Sequence, residues 1–410
     1  MKPLPSDPFA GLDPRDPQYA VQTIDRILAL GRAQGASDLH LQPTAEGLSL
    51  EWRLDGVLQT VALFPRELAG NLVARLKVLA GLLTYRTDIP QEGRIREDRS
   101  DSGTAAGTGP LPESLEMRVS TLPTLHGERA VVRLFAGPGQ YQWLADLQLP
   151  QDVDQRLRQI LAETSGVILV TGPAGSGKTT TLYACMRQIL RDSPARRSLV
   201  SLEDPIEAAV AGVAQAQVNG AAGFTIESGL RFLLRQDPEV LLIGEIRDRA
   251  AAQLAFQAAL TGHLLLSSFH AGSAAGAISR LSDMGIEPYL LHSGVRAILG
   301  QRLLRKLCGC ARPSTDPAER LGLAVERASL PVGCPDCAGT GYRGRFVLAE
   351  LLVPDRSDVS RAILSRSDEA KLEELAIAAG MVSRWDRARQ AVEEGRTSPA
   401  EVRRVLGFGA

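Results

Sequence analysis

Aromatic residues are scarce in this chain of 410 residues, at 4%. A groove that stacks single-stranded bases needs several of them among clustered cations, whereas the arginines here are interleaved with acids. An excess of either charge is also missing. Lysine and arginine number 46 against 47 aspartates and glutamates, a formal net charge of −1, so the chain has no basic footprint of a nucleic-acid binder. No apolar run reaches the length of a bilayer span, and the proline-rich start MKPLPSDPFAGLDPRDPQ lacks the apolar centre of a signal peptide. The expectation is a cytoplasmic protein that reaches any membrane through a partner. Cysteines number five. Cys185 stands alone and reads as a buried thiol. The other four form two close pairs, CGC at 308–310 and CPDC at 334–337, which in a reducing compartment point to a metal rather than to disulfides.

What is present is a phosphate-binding loop. GPAGSGKT, residues 172–179, satisfies G-x-x-x-x-G-K-[ST], with the apolar run GVILVT before it and the helically spaced TTLYACMRQIL after it. Gly172, Pro173, Ala174, Gly175, Ser176 and Gly177 form the loop whose backbone N–H groups turn toward phosphate oxygens, at the positive end of the following helix. Lys178 adds a point charge at the outer phosphates. Thr179, followed by Thr180, offers a hydroxyl to a magnesium ion bridging them. ATP and Mg²⁺ are the implied ligands.

Residues 1–16 read as a loose leader. Residues 17–140 read as a small α+β domain: helical spacing from 17 to 34, alternation in SDLHLQP and LSLEWRLDGVLQTV, a helix at RELAGNLVARLKVLAGL, and short strands around RIRE, LEMRVS and HGERAVVRLFAG. The Gly/Ser/Pro stretch DRSDSGTAAGTGPLPES reads as a surface loop, and residues 141–150 as a linker. From 151 to 300, the strand runs VILV, LVSL, VLLIG and HLLLSSF alternate with helical segments, the pattern of an α/β domain with a helix-covered parallel sheet. Residues 301–354 hold the cysteine pairs, and 355–410 read as charged amphipathic helices.

Two acidic clusters follow strand runs, Glu203 with Asp204 after SLVSL and Glu245 after VLLIG. Carboxyl ends of strands are where open α/β sheets place ligands, so both clusters are expected to face the phosphate loop. His263 and His270 sit at the two ends of LLLSSF, and a histidine at a strand end can donate to phosphate oxygens.

These motifs have a family likeness. GPAGSGKTTTLY, SLEDPIE, GFTIESGLRFLLRQDPEVLLIGEIRD, ALTGHLLLSSFHAGSAAGAISRLSDMGIEPYLL and RVSTLPTLHGERAVVRLF together resemble the assembly ATPases of bacterial type II secretion and type IV pili, over about residues 20–405. The resemblance implies a RecA-like P-loop NTPase core, a PAS-like amino-terminal α+β domain, and carboxyl-terminal zinc-loop and helical subdomains. It makes Glu203 the carboxylate that orients or deprotonates the attacking water, with Asp204 beside it. Glu245 then holds magnesium through a coordinated water, and His270 and His263 sense the terminal phosphate. It further implies that arginines of the first domain act on a neighbouring subunit's nucleotide: Arg94 of QEGRI and Arg118 of EMRVS, with Arg75 and Arg133 as further candidates. Cys308, Cys310, Cys334 and Cys337 become ligands of a structural Zn²⁺, although CGC departs from the family's spacing.

The implied assembly is a homo-hexamer acting on a polytopic inner-membrane platform protein, with a membrane-anchored docking protein as a further candidate partner and without specific nucleic acid. It would be peripheral at the inner membrane. Longer members carry an additional amino-terminal domain, so the short leader leaves the docking mode open. Retraction members lack the tetracysteine segment, so the cysteine pairs favour assembly or secretion. A pilus-retraction-type motor, a DNA translocase and a nucleotide-regulated scaffold are the competing readings.

Overall fold

The computed structural model describes residues 8–97, 115–134, 141–193, 195–355 and 357–408. The stretch DRSDSGTAAGTGPLPES and the start of the leader lie outside them. The chain divides into two compact units, one of Met1–Gly137 with Cys308–Cys310 and Val332–Gly344, the other of Pro138–Leu307, Ala311–Pro331 and Arg345–Ala410.

In the first unit the alternating stretches become strands because every second side chain must meet a core. Along β2 (Leu48–Leu54), Leu48, Leu50, Trp52 and Leu54 are buried while the residues between them are half-exposed. The two-residue turn Asp55-Gly56, with φ of 48° and 83°, returns the chain into β3 (Val57–Phe64), as hairpin chemistry demands. With β1 (Asp38–Pro43), β4 (Gln91–Glu97), β5 (Leu115–Thr124) and β6 (Gly127–Leu134), these strands form an antiparallel sheet in the order β3-β2-β1-β6-β5-β4. Helices α1 (Tyr19–Ala33) and α2 (Arg66–Leu79) cover one face with Ile24, Ile27, Leu72 and Leu76, all wholly buried. Each such side chain contributes about 1.5–3 kcal/mol relative to exposure.

The second unit is built on the order β15-β12-β7-β11-β10-β8-β9. Its strands are β7 (Gly166–Thr171), β8 (Leu199–Glu203), β9 (Ala214–Gln217), β10 (Val240–Glu245), β11 (Leu264–Phe269), β12 (Val295–Leu307) and β15 (Tyr342–Leu352), and every pairing from β12 to β9 is parallel. A two-stranded antiparallel ribbon, β13 (Arg312–Ser314) with β14 (Ala328–Leu330), stands apart. Strands β7, β8 and β11 are buried at every residue, which is why they appear as unbroken apolar runs. Helices α3 (Gln151–Leu161), α4 (Lys178–Asp192), α5 (Ile226–Leu233), α6 (Arg249–Leu260), α7 (Ala274–Asp283) and α8 (Pro288–Gly294) connect the strands. Four more follow β15: α9 (Ser357–Leu364), α10 (Glu369–Ala378), α11 (Arg384–Glu393) and α12 (Pro399–Leu406).

The boundary expected at residue 300 falls inside β12, and the cysteine segment is not a body of its own. Its cysteines belong with the first unit, while 311–331 and 345–354 belong with the second. Within the first unit, Gly344 N–H donates to Asp55 at 2.9 Å, one of the contacts behind that grouping. Among the described residues no helix is long and apolar enough to cross a membrane.

Candidate active site

The site begins where β7 ends. The last buried strand residue is Thr171, and the chain then needs backbone angles closed to most residues: φ is 152° at Gly172, 73° at Gly175 and 88° at Gly177. At Gly172 a Cβ would come within 2.5 Å of the Gln301 carbonyl and 2.6 Å of Ser176 Oγ, so the position is closed to any side chain. Helix α4 opens at Lys178 and aims its first N–H groups into the loop. Gln301 braces the loop from β12. Its Nε2 donates to Ser176 O at 2.6 Å, and its Oε1 accepts from Thr181 Oγ1 at 3.0 Å.

Lys178 Nζ donates to the loop's own carbonyls, Gly172 O at 2.9 Å and Pro173 O at 3.0 Å. Burial pushes its pKa below the usual lysine range; Arg302 adds to that, while the carboxylates of Glu245 and Glu207 pull it back up. Ser176 Oγ is buried without a hydrogen-bond partner. A cradle with an unspent hydroxyl, a lysine and helix N–H groups suits a polyphosphate.

Glu245, at the end of β10, accepts from His270 Nε2 at 2.8 Å and from Arg247 Nε at 2.5 Å. It gets there because the β10–β11 register shifts between Ile243 and Glu245, and Ser268 Oγ donates to Gly244 O at 2.6 Å across the irregularity. Glu245 and His270 therefore meet at the carboxyl ends of the strands, and the Glu245 charge acts on Lys178. Asp204 is exposed nearby, and its charge helps raise the Arg247 pKa, an effect led by the Glu245 hydrogen bond.

Two expectations need correction. His263 lies at the amino end of β11, where its Nδ1 is 3.0 Å from Ala258 O and its carbonyl accepts from Gly166 N, the start of β7. A six-residue strand separates it from the loop, about 20 Å, so it cannot reach the same phosphate as His270. Glu203 is only 3% exposed and turned into the protein. It accepts from Tyr183 Oη, from Ser201 Oγ at 2.6 Å and from Gln215 Nε2 at 3.1 Å. Burial and the Glu203 charge push the Tyr183 pKa up, so that hydroxyl stays a donor.

The residue passed over is Glu207, the second glutamate of SLEDPIE. It is exposed, its charge acts on Lys178, and its N–H donates to Tyr183 Oη at 3.2 Å. The available signal was position: Glu203 closes a wholly buried strand, whereas Asp204 and Glu207 beyond it are exposed.

In the first unit, Arg94 and Arg118 face each other across β4 and β5, and Arg118 faces Arg133 across β5 and β6. The row continues to Asp38 and Arg53. Directly opposed like charges repel, and the described relief is Asp38, 3.0 Å from Arg133 and 3.6 Å from Arg53. Arg75 sits elsewhere, on α2, 3.6 Å from Asp25.

The four paired cysteines come together. Cys308 Sγ is 3.8 Å from Cys334 Sγ, Cys310 Sγ is 3.9 Å from Cys337 Sγ, and Cys334 and Cys337 are 3.7 Å apart. A tetrahedron of metal–sulfur bonds of about 2.3 Å has edges of about 3.8 Å, so CGC supplies two usable thiols despite its short gap. Burial would raise the Cys337 thiol, but N–H groups of Cys334 and Gly341 at 3.1 and 3.2 Å outweigh it and hold the pKa down to about 6, the thiolate form a metal takes.

Comparison with known proteins agrees with this geometry. The profile of a family described as type II/IV secretion system protein matches residues 14–404. The type II secretion system protein E of Pseudomonas aeruginosa is 42% identical over 409 residues, covering 96% of this chain and 77% of its own. The type II secretion system ATPase E of Vibrio cholerae is 39% identical, covering 96% and 76%. Among solved structures, the Legionella pneumophila ATPase DotB superposes with a TM-score of 0.68 at 18% identity, over 95% of this chain and 96% of that one. The pilus retraction motor PilT with bound ADP gives 0.53 at 22% identity, over 88% and 94%; these two show a shared fold. On the match across its length and the identity to its relatives, the chain belongs to the type II/IV secretion system protein family and is an ATP-hydrolysing enzyme of that family.

Proposed function

We propose that the chain is the ATP-driven motor of a type II secretion or type IV pilus assembly system. The observation carrying this reading is the phosphate loop with Lys178 at its end and the Glu245–His270 pair at the strand ends, with the charges of Glu245 and Glu207 acting on Lys178. Lys178 leaves the loop carbonyls to bind the outer phosphates of ATP. Thr179 and Glu245 would hold Mg²⁺, which would supply neutralising charge at those phosphates. His270, fixed by Glu245, donates to the terminal phosphate. Glu207 orients or deprotonates the attacking water, and buried Glu203 holds the Tyr183 hydroxyl that fixes the Glu207 backbone.

The arginine row of the first unit supplies Arg94 and Arg118 to the nucleotide of a neighbouring subunit in a hexameric ring. Work passes to a polytopic inner-membrane platform protein, with the motor on the cytoplasmic side and a membrane-anchored docking protein beside it. The four cysteines hold a closed, structural Zn²⁺.

Turnover by the purified protein, Glu207→Gln and Glu203→Gln tests the assignment. Glu207→Gln should lose turnover and keep nucleotide binding. Glu203→Gln should keep a measurable fraction and melt earlier. The reverse order would restore Glu203 as the base. Light scattering with a non-hydrolysable analogue should give a closed ring of head-to-tail contacts, of about six subunits on the family resemblance.

A further inference from the structure

Beyond Gly300, β12 runs past the last residue of β7, since Gly300 is paired with Thr171. Two consecutive residues then grip the two walls of the phosphate site. Gln301 holds the loop and α4, as described. Arg302 reaches the other wall, the segment His270–Ser273 that follows β11. Its Nη2 donates to Gly272 O at 2.5 Å and its Nη1 to Gln301 O at 3.0 Å. The guanidinium is so close to the loop that a Cβ on Gly172 would lie 3.3 Å from Nη1.

The same segment is tied to the loop's base by Ala271 N–H, which donates to Thr171 Oγ1 at 2.9 Å. It carries His270 at one end and Ser273, the cap of α7, at the other. Because His270 bonds Glu245, wherever Arg302 holds this segment fixes the imidazole against the carboxylate.

A second observation is independent of those contacts. No carboxylate among the described residues forms an ion pair with Arg302. Lys178 lies within its field, and Arg384 at the start of α11 disfavours its charge after burial does, with only Glu350 offsetting them. Glu350 is 2% exposed. It accepts from Ala274 N–H in the first turn of α7 at 2.8 Å and from Arg384 N–H at 3.1 Å. A half-buried guanidinium spent on backbone carbonyls, with the Arg384 charge acting against it, is costly. A purely structural tie would be as well served by a neutral donor.

We infer that Arg302 is a positioning residue for ATP hydrolysis in its own subunit, holding the His270 segment against the phosphate loop so that His270 and Glu245 meet the terminal phosphate in register. The inference rests on the ATPase reading of this site. Its effect belongs to the chemical step rather than to nucleotide capture, since Arg302 is bonded to the wall that carries His270 and Lys178 is left in place.

The test is steady-state ATP hydrolysis by Arg302→Gln, Arg302→Lys, His270→Ala and the Arg302→Gln/His270→Ala double variant, with Lys178→Ala as a control. A misplaced catalytic wall should lower kcat roughly ten- to a hundredfold. Nucleotide KM should change less than about threefold if capture is untouched, the split that separates transition-state from uniform binding. Arg302→Lys, which keeps one donor and the charge, should recover part of the loss. In the double variant the two losses should fail to add, since both act through one imidazole. Additive losses, or a raised KM at unchanged kcat, would overturn the role. Full turnover by Lys178→Ala would overturn the ATPase reading instead. A variant that does not fold is recognised by its melting curve, and Arg302→Lys against His270→Ala then carries the same comparison.

Discussion

At the scale of single residues, the position of a carboxylate decided more than its presence. Glu203 and Glu207 both stand in SLEDPIE, and only burial separates the one enclosed by Tyr183, Ser201 and Gln215 from the one exposed beside Lys178. The apolar strand run before Glu203 was legible in the sequence; that its carboxylate turns inward was not, because that depends on Tyr183, Ser201 and Gln215, partners brought in by the fold. His263 escaped for a similar reason. The strand LLLSSF was legible, but which of its ends faces the loop depends on parallel pairing with β7.

Two predictions belong at this scale. Tyr183→Phe removes one donor from a buried carboxylate and should cost about 1–3 kcal/mol of stability; it should also slow turnover, since the Glu207 backbone loses its anchor, and nucleotide affinity should hold. A denaturation curve paired with a turnover assay reads both effects. In the first unit, wholly buried Lys77 binds Glu128 at 2.8 Å and Arg86 O at 2.7 Å. Lys77→Met leaves Glu128 buried without its cation and should cost about 3–5 kcal/mol. Adding Glu128→Leu should return much of that loss in the same unfolding measurement, and a loss unchanged by the second substitution would mean that the pair is not what stabilises this region.

At the scale of elements, strands announced themselves wherever one environment governed a whole run. Alternation gave away β2 and β3, and continuous apolar runs gave away β7, β10 and β11. β12 was hidden because beyond Gly300 it carries Gln301, Arg302, Arg305 and Lys306, polar residues that a sheet interior would exclude. Gln301 and Arg302 are there because they brace the phosphate site, Arg305 because it pairs with Glu401 of α12, and Lys306 donates to Gln148. The cysteine segment was legible as chemistry and illegible as architecture. Four thiols could be counted, but their grouping with the first unit depends on contacts far apart in the chain. Its prediction is compositional. The purified protein should carry about one zinc per chain, the stoichiometry of a closed four-thiolate site. Chelation, or Cys337→Ser, should lower the melting temperature and open residues 332–344 to protease. Metal-free protein with an unchanged melting curve would mean that the thiols pack without a metal.

At the scale of the whole molecule, the row Arg94–Arg118–Arg133 poses the question that the nucleotide site alone does not answer. Three guanidinium groups in consecutive register form an arrangement that an anion would stabilise. In a motor the natural anion is the polyphosphate of another subunit, supplied with its arginine in trans. Two inactive variants should then rescue each other. Lys178→Ala keeps the arginine row but cannot use ATP, and Arg118→Ala keeps the loop but lacks the row's central cation. Neither should turn over appreciably alone. Mixed in equal amounts, they place an intact loop against an intact row at roughly a quarter of the interfaces of a randomly assembled ring, since each interface needs one subunit of each kind in a fixed order. Hydrolysis by the mixture should therefore exceed the sum of the separate rates and should rise with total protein concentration as rings form. If Arg118 acts on the nucleotide of its own chain, no interface of the mixture has both parts, and mixing restores nothing.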